Sequence, residues 1–127
     1  LKRYWAEWRR MTGFGGQFTG RWEDGWISRR YESSLLVDAE SSQLRITGKH
    51  FAPIKDLHLR VKLGGRTLKE KHPLPAGPFV LELELPQDLR GKQSPLVIES
   101  NTTWRPRENG DYRQLACIID TLEQTKS

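Results

Sequence analysis

Two short segments alternate strictly between apolar and polar residues, and this alternation constrains the fold more than any other feature of the chain. In residues 56–63, "DLHLRVKL", every second position is Leu or Val, and in residues 79–85, "FVLELEL", it is Phe or Leu. Successive side chains of a β-strand point to opposite faces, so the pattern is typical of strands with one buried and one solvated face. The residues predicted to share one core are Leu57, Leu59, Val61, Phe79, Leu81 and Leu83.

Turn-forming residues divide the rest of the chain into further short strands. Breaks rich in Gly, Pro and Asn recur about every 8–15 residues, and no amphipathic helix separates the strands. The "LGGR" at residues 63–66 predicts a tight hairpin. We therefore predict an antiparallel β-sandwich of about seven to nine strands, of the jelly-roll or immunoglobulin-like type.

Polar residues on the outward faces of these strands predict cross-strand ion pairs. Glu82 and Glu84 alternate with the inward leucines of one strand, and Arg60 and Lys62 do so on another. Opposite charges on neighbouring strands stabilise a sheet without any catalytic role, so we expect these four residues to pair with one another.

The first 13 residues, "LKRYWAEWRRMTG", have a helical rather than a strand pattern, and Gly13 is a natural helix stop. Because the chain begins with Leu1 rather than Met, we expect residues 1–14 to be a helical connector from an upstream domain, followed by a sandwich domain over 15–127. An apolar helix side of this size predicts an interface for docking or homodimerisation. Its residues are Tyr4, Trp5, Trp8 and Met11.

Composition limits the classes of partner. The 127 residues fit one domain, the mean hydropathy is −0.71, and no apolar run reaches the length of a membrane span. The net charge is +5, but residues 1–31 carry +4 of it, so the nearly neutral remainder disfavours nucleic acid as a partner. No signal peptide pattern is present, and we expect a cytoplasmic protein.

No catalytic or metal-binding pattern stands out. The glycine-rich stretch "GFGGQFTGRWEDGW" at residues 13–26 matches neither the P-loop nor the dinucleotide motif, and its glycines are expected to let the chain turn between helix and first strand. The three histidines, His50, His58 and His72, lack the spacing of metal ligands and are expected at the surface. Cys117 lies in the apolar run "LACII" and is expected to be buried. We therefore predict no enzyme activity and no cofactor.

The tryptophans near loops are the candidate ligand-binding residues. Trp26 follows the "EDG" turn and Trp104 precedes Arg105 and Pro106, so either ring can lie at the rim of the fold and stack on a sugar, while Asp24 accepts hydrogen bonds from hydroxyl groups. The competing interpretation places each ring in the core, as we expect for Trp22. The polar cluster around the Asn-Gly turn has two interpretations as well, since it can bind an anion or order its own loop. Its candidate residues are Arg107, Asp111 and Arg113.

Five segments occur in an order that resembles a known class of modules: "EDGW", "LRITGKHF", "PAGPFVLELELP", "TWRP" and "GDYRQLACII". They cover residues 23–119 and are similar to the short β-sandwich modules appended to bacterial glycosyltransferases and other cell-surface polysaccharide enzymes. The resemblance implies a non-catalytic accessory domain that binds carbohydrate weakly beside a separate catalytic domain. The alternative is a purely structural domain that docks onto its neighbour or dimerises.

Overall fold

A computed structural model describes residues 14–21, 24–106 and 114–126, and this part of the chain is all-β. It contains eight antiparallel strands, a single 3-10 turn at Gln87–Leu89 and no α-helix. The predicted N-terminal helix, with its apolar side of Tyr4, Trp5, Trp8 and Met11, lies outside the described residues. The strands are β1 (Phe14–Arg21), β2 (Trp26–Leu36), β3 (Gln43–His50), β4 (His58–Leu63), β5 (Arg66–Pro73), β6 (Gly77–Glu84), β7 (Gln93–Ser100) and β8 (Cys117–Thr125).

Hydrogen bonds join these strands into one sheet in the order β5-β4-β7-β2-β8-β3-β6, and β1 pairs with β2 beside this path. Strand β2 changes partner along its length, because Trp26 and Ile27 pair with β8 whereas residues 30–36 pair with β7. The two edge strands of the path, β5 and β6, contact each other, so the sheet is nearly closed. The predicted all-β antiparallel class is therefore confirmed.

A single apolar core fills the space inside this sheet. All six residues predicted to share a core are buried in it, and Leu44, Ile46, Leu96 and Ile98 join them from β3 and β7. Glu82 and Glu84 lie on the exposed face of β6, as the alternation predicts. The period of two in the sequence is thus the direct cause of the inward and outward faces of β4 and β6.

Strand register defines two ends of the molecule. One end, which we call the tryptophan end, contains Trp26, His58, Ser100 and Cys117, the terminal residues at which β2, β4, β7 and β8 meet. The other, the turn end, consists of the connections at residues 37–42, 64–65 and 85–92. Every loop that carries a candidate binding residue among the described residues belongs to the tryptophan end.

A tight turn and a pair of side-chain hydrogen bonds hold the turn end together. Gly64 and Gly65 have φ values of 60° and 80°, the left-handed conformations of the type I′ hairpin that "LGGR" predicts. Arg66 donates two hydrogen bonds of 2.7 Å to the two carboxylate oxygens of Asp88, which raises the pKa of Arg66 and lowers the pKa of Asp88. The predicted hairpin is confirmed, and its second strand is clamped to the connection between β6 and β7.

Residues 14–21 of the glycine-rich stretch form a strand, which corrects the prediction that its glycines turn the chain before the first strand. Residues 14–21 form β1, so Gly15, Gly16 and Gly20 lie within a paired strand rather than before it. The pairing of β1 with β2 shifts register twice, between Phe14 and Phe18 and between Thr19 and Arg21. Glycine inside a strand is typical of such bulges, so the glycines here accompany irregular pairing.

The predicted surface location of the histidines is wrong for His50, which is 3% exposed. It is the last residue of β3, and its Nε2 lies 3.1 Å from the carbonyl oxygen of Ile54. That carbonyl accepts a hydrogen bond from the Nε2–H of the imidazole, so the ring closes the loop that follows β3. The alternation of β3 places His50 on the same inward face as Leu44 and Ile46. The sequence-based prediction followed the polar character of histidine rather than this alternation.

The outward charges do form cross-strand ion pairs, but with partners other than those predicted. Glu82 pairs with Arg45 at 3.3 Å, because β6 neighbours β3 rather than β4. Arg60 lies 3.0 Å from Glu70 and 3.9 Å from Glu99, and Lys62 lies 3.6 Å from Glu99. These pairs are consistent with the predicted structural role of the outward charges. The predicted pairing of Glu82 and Glu84 with residues of β4 is wrong, because β6 and β4 are not neighbours in the sheet.

Candidate functional site

Two tryptophans that are far apart in sequence meet at the tryptophan end. The ring centroids of Trp26 and Trp104 lie 6.3 Å apart, and the ring planes are inclined at 46°. This separation is within the range of interacting aromatic pairs. Both side chains are half-buried, so each ring has one region packed and another open to solvent. The sequence allowed each ring to lie either in the core or at the rim, and the structure places both rings between these two positions.

The backbone, rather than the side chains, holds Trp104 in place. Its N–H donates to the carbonyl of Leu115 and the Leu115 N–H donates back, both at 2.8 Å. The next residue, Ala116, donates to the carbonyl of Ile27 at 2.9 Å, directly beside Trp26. The two rings are therefore positioned by a continuous set of backbone bonds between the loop after β7, the start of β8 and the start of β2.

Asp24 shapes the turn from which Trp26 emerges. The backbone N–H of Trp26 donates to Asp24 Oδ1 at 3.4 Å, and Gly25 between them has a φ of 95°. The carbonyl of Gly25 in turn accepts a hydrogen bond of 2.9 Å from Ile119 of β8. Asp24 is exposed, so the turn presents a carboxylate next to the first ring of the pair.

Of the predicted binding residues, the structure therefore brings together Trp26, Trp104 and Asp24. The remaining three, Arg107, Asp111 and Arg113, lie outside the described residues, as does Trp22. Arg105, which directly follows Trp104, is exposed. The part of the site that the structure shows is a pair of half-open aromatic rings flanked by an acidic turn and a basic residue.

A groove of about 360 Å³, which was not expected from the sequence, opens near the same end of the sheet, where it includes His58 and Ser100. It lies on the outer face of the sheet where β2, β4, β5 and β7 meet. Residues from all four strands contribute, so no local motif marks it; the one available signal is the outward alternation of His58 and Arg60 in β4. Its lining residues are Arg29, His58, Arg60, Glu70, Lys71, Glu99, Ser100 and Asn101.

Hydrogen bonds order one wall of the groove. Asn101 accepts a bond of 2.9 Å from the backbone N–H of His58 through Oδ1 and donates one of 3.0 Å to the carbonyl of Asp56 through Nδ2. The same carbonyl lies 3.2 Å from His58 Nδ1, which must carry the proton because a carbonyl only accepts. In the neutral imidazole Nε2 is then the acceptor nitrogen, and His58 is one of the residues that line the groove.

The thiol of Cys117 is not accessible for chemistry, because the residue is buried. Cys117 is fully buried in the core, as predicted, and burial raises the pKa of its thiol to about 12. Among the described residues no group of three or more His, Cys, Asp or Glu side chains is arranged to hold a metal ion. Within the same residues no helix is long and apolar enough to cross a bilayer.

Comparison with known proteins gives no family assignment. No family model matches this chain, and no curated protein is significantly similar to it.

Proposed function

We propose that this chain is a non-catalytic accessory domain that binds carbohydrate through the Trp26–Trp104 pair. The resemblance to modules of bacterial glycosyltransferases supports a place beside a catalytic domain, and we propose a β-sandwich of the same type as those modules. The observation that carries the proposal is the paired, half-open rings, held by backbone hydrogen bonds at one end of the sheet.

Two rings inclined at 46° suit a sugar better than a flat aromatic ligand. A pyranose presents apolar C–H groups on its faces and hydroxyl groups around its edge. The rings offer apolar surface in two directions, and the exposed Asp24 and Arg105 offer an acceptor and a donor for hydroxyl groups. A site in which backbone bonds fix the rings loses little conformational entropy when it binds.

The contacts available at this rim are few, so binding is expected to be weak, with a Kd on the order of 0.1–10 mM. Binding of a neutral sugar should also depend little on salt. Nucleic-acid binding, by contrast, weakens steeply as salt rises, because counterions are released from the phosphates.

The test is a titration of tryptophan fluorescence with a panel of oligosaccharides, repeated with Trp104→Ala. We expect at least one oligosaccharide to change the emission of the wild type, and the substitution to weaken its binding about tenfold, since one stacking ring is lost. The backbone bridge between residues 104 and 115 does not need the indole, so the fold should persist. Leu36→Ala, which shortens an exposed apolar side chain at the turn end, is the matched control.

The second candidate function is an interaction domain, and two exposed apolar side chains favour it. Phe51, directly after β3, is 60% exposed, and Val80 on the outer face of edge strand β6 is 57% exposed. If no sugar changes the emission while sedimentation shows self-association that Phe51→Ser abolishes, the interaction domain replaces the carbohydrate module as the conclusion.

A further inference from the structure

We propose that the groove near the tryptophan end binds the anionic group of an acidic saccharide, so that the domain recognises a charged rather than a neutral carbohydrate. This inference rests on the proposed function, because it assigns the ligand's sugar ring to Trp26 and Trp104 and its acidic group to the groove.

The charge of the groove favours an anion. Its lining contains three cations, Arg29, Arg60 and Lys71, against two carboxylates, Glu70 and Glu99. Glu70 is engaged by Arg60 at 3.0 Å. The groove therefore retains positive charge after its internal ion pair is formed, which attracts an anionic ligand.

Glu99 does not remove this excess, because several cations share it. Arg30 lies 3.4 Å from Glu99 Oε2, while Lys62 and Arg60 lie 3.6 Å and 3.9 Å from Oε1. One carboxylate thus stands among three positive groups, two of them engaged elsewhere only with exposed glutamates. An added anion would lower the mutual repulsion of these cations.

Arg29 and Lys71 are the groups that would contact the ligand. Both are exposed, both line the groove, and neither forms an ion pair with a carboxylate of residues 24–106 or 114–126. Arg29 is also fixed at its backbone, where its carbonyl accepts a hydrogen bond of 3.4 Å from Ser100 Oγ. A guanidinium can bind a carboxylate or phosphate through two parallel N–H bonds, and an ammonium adds a point charge.

The groove and the aromatic pair belong to the same end of the sheet. Arg29 follows Trp26 by three residues in β2, a separation on the order of 10 Å along the strand, and Asn101 begins the connection that leads to Trp104. A short oligosaccharide spans this distance. His58 also lines the groove, and Nε2 of its neutral imidazole can accept a hydrogen bond from a hydroxyl group of the same ligand.

The test compares two probes that differ only in charge: an oligogalacturonate and its fully methyl-esterified, neutral counterpart. Binding to the 127-residue chain is followed by two-dimensional NMR of backbone and indole N–H groups. We expect the acidic form to bind more tightly, with shifts at both Trp26 and Asn101. Arg29→Ala combined with Lys71→Ala should weaken binding of the acid about tenfold or more, because two charge-assisted contacts are lost.

Two control variants separate this inference from the proposed function. Lys92→Ala removes one exposed charge at the turn end and should change the Kd of the acid less than about twofold, as expected for a distant screened charge. Trp104→Ala should weaken the acid and the ester alike. Equal affinity for the two probes, with no effect of the groove variant, overturns the inference and leaves the proposed function standing. No binding of either probe also overturns the inference, and the panel of oligosaccharides then decides the proposed function separately. Binding that ignores Trp104 contradicts the proposed function itself.

Further arms identify the source of the anion. Inorganic phosphate that displaces the saccharide at equal concentration would show a site for free anions and overturn the saccharide assignment. Tighter binding of a single-stranded oligonucleotide, with a steep dependence on salt, would overturn it in favour of nucleic acid. If phosphate does not displace the saccharide and the oligonucleotide does not bind more tightly than it, the preference for the acidic probe supports an acidic saccharide as the ligand.

Discussion

The two ends of this sheet differ in the side chains that they present to solvent. At the turn end, polar side chains bond to one another and to the turns, as in the Arg66–Asp88 pair and the Asp38 carboxylate, which accepts bonds from Glu40 N–H and Ser41 Oγ. At the tryptophan end, backbone bonds and the side chains of Ser100 and Asn101 hold the chain, while the rings of Trp26 and Trp104 remain half-open. The turn end therefore presents polar side chains that bond to one another, and the tryptophan end presents aromatic surface that a ligand can contact.

The shortest and the longest connections between strands lie at opposite ends. The hairpin at the turn end needs only residues 64–65, whereas the connection from β7 to β8 at the tryptophan end runs from 101 to 116. Short turns are specified by local geometry, and longer connections carry side chains that the fold does not require. Both ends are joined to the same core. The unfolding free energies of core variants can therefore be compared with those of variants at each end.

Phe79→Ala tests the shared core and should have the largest effect. Phe79 is 7% exposed and belongs to the central cluster, so its truncation should cost roughly 3–5 kcal/mol of unfolding free energy. Glu82→Ala, on the outer face of the same strand, removes an exposed ion pair and should cost less than about 1 kcal/mol. Denaturant melts of both variants give the comparison, and the reverse order would contradict the strand register.

Gly48→Ala tests the packing beneath the tryptophan end. A Cβ at this position would lie 2.0 Å from the carbonyl oxygen of Ile118 and 2.8 Å from the Phe79 ring. Because backbone must move, we expect a cost of about 1–3 kcal/mol. Ile118 pairs with Trp26, so the substitution should also alter tryptophan emission in the folded state. Unchanged emission would indicate that the aromatic pair is independent of the β3–β8 contact.

Gly65→Ala is the counterpart at the turn end. No atom lies within 4 Å of a Cβ at this position, so the only cost is the left-handed backbone at φ 80°, about 1–2 kcal/mol. Tryptophan emission should not change. Gly65→Asn, which tolerates this conformation, should cost less in the same thermal melts, and equal costs for the two would argue against the type I′ turn.

Acidification should affect the two ends in different pH ranges. The pKa of Asp38 is lowered from 3.8 by bonds from a backbone N–H and Ser41, and that of Asp88 by Arg66. Burial, with a smaller effect of a nearby lysine, lowers the pKa of His72 from 6.5. A group whose pKa is lowered by folding binds protons more readily in the unfolded state, so the stability that it contributes is lost as pH falls. We therefore expect protonation of His72 to lower the free energy of unfolding below about pH 6.5, and protonation of the two aspartates to lower it below about pH 4. His72→Gln should flatten only the upper range of a plot of Tm against pH, and Asp88→Asn only the lower.

The parts of the fold that follow local rules could be predicted from sequence. The period of two identified the inward faces of β4 and β6, and "LGGR" identified the hairpin, because side-chain alternation and glycine conformations act over a few residues. Strand order was not predictable in this way, which is why Glu82 was assigned to the wrong neighbouring strand. The glycines of residues 14–21 do not distinguish a turn from a strand, since glycine permits a bulged strand as readily as a turn.

The candidate site was predictable only in its pieces. Trp26, Trp104 and Asp24 were identified because turn residues flank them, but their meeting depends on Ala116 and Leu115 of a segment that is distant in sequence. The groove is not predictable from any one segment because each of four strands contributes only one or two of its residues. Long-range pairing, which no single segment encodes, creates both features.

The most direct test of this account is the distribution of NMR shifts when the chain is titrated with the acidic oligosaccharide. We expect changes confined to the tryptophan end, including the indole N–H of Trp26 and Trp104 and the side-chain amide of Asn101, and none in the hairpin at residues 64–65. Changes centred on the turn end, or spread evenly over both ends, would contradict the division of the molecule into a structural end and a binding end.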